Sequence, residues 1–474
     1  MRSWTKVSRM APSAIRKMQD QLLHAMLTEE LARRHPHYRA LFQERGLDPD
    51  RIKGRDDLAK LPFTEKADVL PRPDDRLRPK RFVLEPPGPE EKPHRGLFSF
   101  LRRKPRGRER ADYKLRSLMF TAGRTGKALP IEYTRYDLDN LREAAVRFFD
   151  VLDLARDDTL VCAFTFAPGV HFWQMFHGTL AVGSTALHSG GGKVLGLEKI
   201  LKAVNNLEAD VLAAAPGYAL FALQSLRHFQ IEPEYLKRIL IGIDYAPLEA
   251  AERLQRLMGA MKAAGTAVQR CYFLSEAKSG WAECALGHGY HTNPDHVLVE
   301  VVDPDTGAVV GEGEPGEIVI TNLDARGTVF LRFKTGDITT GGLTTTPCPH
   351  CKRTVPRILG EIERKSLYFE FESAGGGKLL NGNRLKRAMF ARNEVLLWYA
   401  ELFRGATGDE LKVVLKGLPG EDPDALCAKL AEELQAELEV PVTCVTSKLD
   451  AIIGKIGIER FVTEQTIFDN RERE

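Results

Sequence analysis

The sequence predicts an α/β protein of two unequal parts: a large N-terminal domain of several subdomains over residues 1–360 and a small α+β domain over 361–474. Three observations carry this. Between about 117 and 345, strand-like apolar runs alternate with helical segments, the pattern of a largely parallel sheet covered by helices. Residues 297–331 break the alternation. They are rich in Val, Ile and Thr, with Asp303-Pro304-Asp305-Thr306-Gly307 and Glu312-Gly313-Glu314-Pro315-Gly316 as turns, and read as antiparallel hairpins. After Gly360, a strand at 411–415, an amphipathic helix at 424–438 and a strand at 440–445 form a compact unit of their own.

The elements follow in order. The first 45 residues place Met18, Leu22, Leu23, Met26 and Leu27 at helical spacing, with charged residues on the other face. Leu61-Pro62-Phe63-Thr64-Glu65-Lys66 ends a turn-rich stretch, and Thr64 is expected to cap a short helix containing Asp68 and Leu70. Residues 86–112 are a basic island of eight Lys or Arg among Leu97, Phe98, Phe100 and Leu101. It reads as a solvated surface insertion, with a patch for anionic lipid, RNA or a partner as the other reading. Strands are expected at 159–164, 211–215, 239–243 and 317–321, and helices at 138–152 and 248–264.

Composition narrows the function classes. With 43% apolar and 28% charged residues among 474, the chain can bury substantial cores. Lys plus Arg number 68 against 65 Asp plus Glu, so a net charge of +3 gives no reason to expect nucleic acid. No apolar run of about 18 residues predicts a membrane span. No secretory signal is visible in residues 1–13, and seven cysteines form no disulfide framework, so the cytoplasm is the expected compartment.

The chemistry begins at Thr121-Ala122-Gly123-Arg124-Thr125-Gly126-Lys127, after the apolar Leu118-Met119-Phe120. Glycines let backbone N–H groups approach an anion, and Thr and Lys add donors suited to phosphate. The two glycines are too close together for a G-x-x-x-x-G-K-[ST] loop, and Ala128 follows the lysine. Downstream come Tyr272-Phe273-Leu274-Ser275-Glu276, Arg332-Phe333-Lys334-Thr335-Gly336-Asp337 and Gly454-Lys455-Ile456. Singly, each has a plainer reading: a Gly-rich turn, a helix start, a hairpin turn and a solvated lysine.

Together, the order and spacing of these four segments resemble the adenylate-forming superfamily, in its phenylacetate–CoA ligase branch. The resemblance implies a large AMP-binding domain and a small mobile domain. It also implies ATP- and Mg²⁺-dependent activation of a carboxylic acid to acyl-AMP, then transfer to coenzyme A. By that analogy Thr121, Gly123, Thr125, Gly126 and Lys127 hold phosphates, Tyr272 lies against adenine, and Asp337 takes the ribose hydroxyls. Asp244 and Ser275 join the nucleotide site, Glu276 places Mg²⁺, and Lys455 is the mobile catalytic cation.

Several positions depart from the family pattern. Ala122, Arg124 and Ala128 stand where relatives carry Ser, Thr and Pro, and Phe273 stands where they carry Gly. Glu361 replaces an Arg that helps bind the nucleotide, with Arg357 or Arg364 as substitutes; Glu363 keeps the hinge acid. The glycine loop expected against CoA is altered at 374–378 and 381–383. An amide-forming synthetase and a nucleotide-binding homologue without full turnover therefore stand beside the CoA ligase.

Cys348-Pro349-His350-Cys351 has the spacing of a zinc knuckle, and Cys284 precedes His288 and His291 around a Gly-rich turn. A hairpin there would make Cys284 and His291 cross-strand neighbours. The expected group is a structural Zn²⁺ on Cys284, His291, Cys348 and Cys351, with His288 as the alternative ligand. A redox pair or unconnected thiols are the competing readings. Cys162, Cys271, Cys427 and Cys444 read as core. For the acid, the resemblance points to His171, Phe172 and Tyr218, a set suited to an aryl or other apolar acid, although such aromatics also build cores. A homodimer is left open.

Overall fold

The computed structural model describes residues 3–88, 109–121, 128–243, 246–261, 265–373, 376–406, 408–458 and 465–471. Most of the basic island at 86–112, and the positions Gly123, Thr125, Gly126, Lys127 and Asp244, lie outside the described residues.

A hairpin of β1 (Leu115–Phe120) and β2 (Pro130–Thr134) precedes the main sheet. That sheet is built from β3 (Thr159–Cys162), β4 (Thr185–His188), β5 (Val211–Ala214), β6 (Arg238–Ile241), β7 (Ala267–Leu274), β8 (Ser279–Glu283) and β9 (Tyr290–His291). The strands of a second sheet are β10 (Val297–Val302), β11 (Gly316–Asn322) and β12 (Phe333–Thr339). Then β13 (Leu343–Thr344) and β14 (Arg357–Ile358) return to the main sheet, and β15 (Ile362–Arg364) joins the second.

The main sheet runs β13-β14-β9-β8-β7-β6-β5-β3-β4. From β4 to β7 every pairing is parallel, joined by helices such as Val170–Val182, Pro216–Ser225 and Leu248–Ala260. From β7 onward the pairings are antiparallel. Strand β5 is buried throughout, as a parallel strand covered on both faces must be. The hairpins expected over 297–331 are the antiparallel pair β10–β11. Helix Arg135–Val151 starts on a capping box in which Thr134 and Asp137 satisfy each other's backbone donors. Asp137 also accepts from Arg326 N and Gly327 N and pairs with Lys278 at 3.0 Å, so one buried carboxylate fixes three segments.

Thr64 is not the cap expected of it. Glu65 caps the short helix Lys66–Val69 in a box with Asp68. Thr64 instead bridges to Phe333 and donates to Leu331 O at 2.8 Å, pinning the N-terminal strap beside β12.

A second hydrophobic core, from Leu367 to Ile467, belongs to the C-terminal unit. It contains the hairpin of β16 (Tyr368–Ser373) and β17 (Gly376–Asn381), and helix Gly382–Ala391. A sheet of β18 (Val395–Arg404), β19 (Asp409–Gly417), β20 (Val442–Thr446) and β21 (Ile467–Asp469) completes it, with helix Pro423–Leu438 packed on β20. The two parts meet along helix Leu248–Ala260, where Glu249, Arg253 and Arg256 fall on one face at i, i+4 and i+7. Arg387 Nε lies 2.9 Å from Glu249, and Arg253 donates to the carbonyls of Asn393 and Val395. Ile452 and Ile456, from helix Leu449–Ile456, pack into the core of the large part.

Candidate active site

Strand β7 ends at Leu274, at the carboxyl edge of the parallel half of the sheet, where open α/β sheets bind ligands. Alternation along β7 sends Tyr272 and Phe273 to opposite faces. The ring of Phe273 lies over its cross-strand partner Gly280, where a Cβ would sit 2.2 Å from it, so no larger residue fits there. Phe273 therefore packs with Phe148, Phe164 and His171 and leaves the Tyr272 face clear.

On that other face, Tyr272 Oη donates to Asp337 Oδ2 at 2.6 Å, joining β7 to β12. Arg364, opposite Asp337 in the β12–β15 register, places Nη1 2.9 Å from Oδ1. Glu276, in the turn after β7, is buried beside this pair. Burial pushes its carboxyl up to about 7, aided by the Asp337 charge and opposed by Arg364 and Lys66. Lys66 is half-buried, and burial lowers its pKa despite Glu276. Four segments therefore bring two carboxylates, two cations and a phenol together.

Phe120 and Thr121, which lead into the phosphate-loop candidate, adjoin this group. Ser275 Oγ donates to Phe120 O at 3.4 Å. Thr121 N donates to Leu129 O at 3.0 Å, and Leu129 N to Thr121 Oγ1 at 2.9 Å. Phe120 N donates to Pro168 O, which ties β1 to the segment leading into helix Val170–Val182. His171 and Phe172 start that helix. His171 Nε2 is 3.3 Å from Thr165 O, and Phe172 meets Phe166, whose ring is exposed. Tyr218 is buried in helix Pro216–Ser225.

Arg357 and Lys455 both lie away from this group. Arg357 is not at the nucleotide group: it lies on β14, paired with β9, and its guanidinium donates to His288 O and Thr346 O. The cation beside Asp337 is Arg364. Lys455, expected to act only when the small domain moves, lies apart from Asp337 in this arrangement. Its ammonium lies 2.7 Å from Glu401 and over the rings of Tyr399 and Phe468, all within the small domain.

The charge reversal at Glu361 has a buried answer. Arg270, on β7, forks onto Glu283 at 2.8 and 2.9 Å and donates to Glu361 Oε1. The other Glu361 oxygen accepts from Leu248 N at 3.0 Å, at the start of helix Leu248–Ala260, where the helix dipole favours an anion. Sequence reasoning missed Arg270; the charge-reversed position 361 was the signal that some buried cation had to answer it.

At the far end of the sheet, the ligating atoms of Cys284, His291, Cys348 and Cys351 all lie within 4.8 Å of one another. Cys284 Sγ is 3.6 Å from Cys348 Sγ, and Cys351 Sγ is 3.2 Å from His291 Nε2. His291 Nδ1 lies 3.3 Å from Ala282 O, a bond that leaves Nε2 facing the sulfurs. His288 stacks on His350 instead.

The AMP-binding enzyme family model matches residues 52–323, more than half of the chain. A phenylacetate–coenzyme A ligase of Aromatoleum evansii is 28% identical over 316 residues, 64% of this chain and 61% of that protein's own length. One of Thermus thermophilus is 28% identical over 366 residues, 74% of this chain and 71% of its own. Among solved structures, 2-hydroxyisobutyryl-CoA ligase in the postadenylation state aligns over 98% of this chain and 92% of its own, at a TM-score of 0.77 and 18% identity. The family model spans more than half of the chain, and the chain therefore belongs to the AMP-binding enzyme family, with similarity to phenylacetate–CoA ligases.

Proposed function

We propose that the protein is an AMP-forming acid–thiol ligase that joins a carboxylic acid to coenzyme A through an acyl-adenylate. In the first step a carboxylate oxygen attacks the α-phosphorus of ATP, and the bond from that phosphorus to the β-phosphate oxygen breaks to release pyrophosphate. In the second, the thiolate sulfur of CoA attacks the acyl carbon and AMP leaves. The observation that carries this reading is the convergence of Tyr272, Glu276 and Asp337, from segments up to 65 positions apart, near Phe120 and Thr121.

Within this reading Asp337 receives the ribose diol and Tyr272 flanks the adenine. Glu276 holds Mg²⁺ once ionised, the metal offsetting phosphate charge. Ser275 and Thr121 line the phosphate side, with Gly123, Thr125, Gly126 and Lys127 supplying the rest of the loop. Lys455 reaches the reacting carboxyl only when the small domain turns, because here it is held by Glu401. The aromatic face around Phe166, His171 and Phe172, tied to β1 through Pro168, favours an aryl or apolar acid. Tyr218 is a further pocket candidate.

Cys284, His291, Cys348 and Cys351 fit a structural Zn²⁺ site. Three thiols and one imidazole with their ligand atoms all within 4.8 Å of one another are the donor set of a tetrahedral zinc site. The metal would staple β8, β9 and the 348–351 knuckle, with no part in the reaction.

Acid-dependent exchange of labelled pyrophosphate into ATP, run over aryl, aliphatic and hydroxy acids, tests the reading. Exchange with an acid, followed by CoA-dependent AMP release, is expected. ATP binding without exchange for any acid would leave only the nucleotide-binding homologue. Release driven by amines and not by CoA would make the protein an amide synthetase.

A further inference from the structure

Asp337, the carboxylate that receives the ribose in the reading above, is already in use. Its side chain is fully buried, with Tyr272 Oη on Oδ2 and Arg364 Nη1 on Oδ1. Vicinal hydroxyls bind a carboxylate best when both of its oxygens accept, so a ribose and the Arg364 guanidinium seek the same group.

The backbone of Arg364 is held from the other side. Arg364 N donates to Asn383 Oδ1 at 2.8 Å, and Asn383 Nδ2 donates to Arg364 O at 3.1 Å. Asn383 is buried in the first turn of helix Gly382–Ala391, in the core of the small domain. Arg364 is also the last residue of β15, and the single turn Lys365–Leu367 leads from it into the small domain. One residue thus has its side chain on the nucleotide carboxylate and its main chain on the small domain.

We propose that Arg364 is a positioning residue that competes with the nucleotide ribose for Asp337, so that nucleotide entry releases the side-chain tie between Asp337 and the end of the strand leading into the small domain. The inference rests on Asp337 being the ribose acceptor. It adds what that reading lacks, a physical link from nucleotide occupancy to the position of the domain that carries Lys455. The cost of breaking the pair is offset by the ribose bonds that replace it, so a ligand without ribose hydroxyls cannot drive the release.

The test uses the full chain and equilibrium binding of ATP and of 2′,3′-dideoxy-ATP. Arg364→Gln should tighten ATP about tenfold, since a competing charge-assisted bond is gone, while dideoxy-ATP changes by less than about twofold. Arg364→Lys keeps the charge but loses the planar fork, and should fall between wild type and Arg364→Gln. If Arg364→Gln does not fold, the ATP/dideoxy-ATP ratio of Arg364→Lys carries the test alone. As a second readout, ATP should speed amide exchange over 364–367 in wild type and dideoxy-ATP should not. Weaker ATP binding in Arg364→Gln, or equal changes for both nucleotides, would overturn the proposal while leaving the ligase reading intact. A wild-type protein that binds no ATP would remove both.

Discussion

The phenol of Tyr272 donates to Asp337 across 2.6 Å, with neither side chain reaching solvent. Such a bond is worth more than its net contribution when one partner is removed, because the acceptor left behind is buried. Tyr272→Phe should therefore lower unfolding stability by about 1–3 kcal/mol, read as a shifted urea midpoint at unchanged m. An unchanged midpoint would mean that water replaces the phenol and that the group is open.

Glu276 gives the nucleotide-free protein a pH dependence of defined sign. The unfolded chain releases this proton near 4.5 and the folded chain at about 7. Between these values the folded state binds more protons, so its stability falls as pH rises, by up to about 3 kcal/mol. Glu276→Gln should lack this loss. Parallel stability curves for the two proteins from pH 4.5 to 7.5 would contradict the burial of this carboxyl.

The Arg270–Glu283–Glu361 group is structural and costly to break. Arg270→Met leaves two buried carboxylates without their cation and should cost about 3–5 kcal/mol. Glu361→Arg should be more damaging than Glu361→Gln because it sets two guanidiniums together. Thermal melts of the three variants give the order directly; a stable Glu361→Arg protein would show that Arg270 can move aside.

The cysteine cluster is coupled to the N-terminus. Thr354 N donates to Ser8 O at 2.9 Å, Arg353 lies 2.6 Å from Asp150, and Trp4 Nε1 donates to that same carboxylate at 2.7 Å. The purified protein should contain about one zinc per chain. Chelation or Cys348→Ser should lower the melting temperature and expose the first helices to protease. Metal content well below one, unchanged by Cys348→Ser, would return the four residues to plain core packing.

The Lys455–Glu401 pair offers a test that distinguishes the two proposed half-reactions. Lys455→Ala should slow acid-dependent pyrophosphate exchange by about 100-fold or more, the scale of losing one transition-state charge partner. Thioester formation from supplied acyl-adenylate should suffer much less. Equal losses in both steps would mean that Lys455 serves the fold through Glu401, Tyr399 and Phe468, and not the chemistry.

Tyr272, Ser275, Glu276 and Asp337 could be named as candidates because the order of their short segments resembles a known family, and the knuckle cysteines because of their Cys-x-x-Cys spacing; the structure brings Tyr272, Glu276 and Asp337 together. The alternating runs over 159–243 announced the parallel strands because hydrophobic period and turn residues are local properties. Arg364 and Arg270 carried no such signal. A guanidinium declares its role only through the carboxylate it meets, and Glu361 lies 91 positions from Arg270. Arg357 and Arg364 are seven residues apart and indistinguishable as sequence, yet β14 turns back to the main sheet while β15 joins the second. Local pattern was enough for the α/β architecture and for naming the candidate carboxylates and the four metal-ligand candidates. Which cation faces Asp337, what neutralises Glu361 and where Lys455 rests came from the three-dimensional fold, because ion pairs form through space between strands whose order in the sheet no local pattern records.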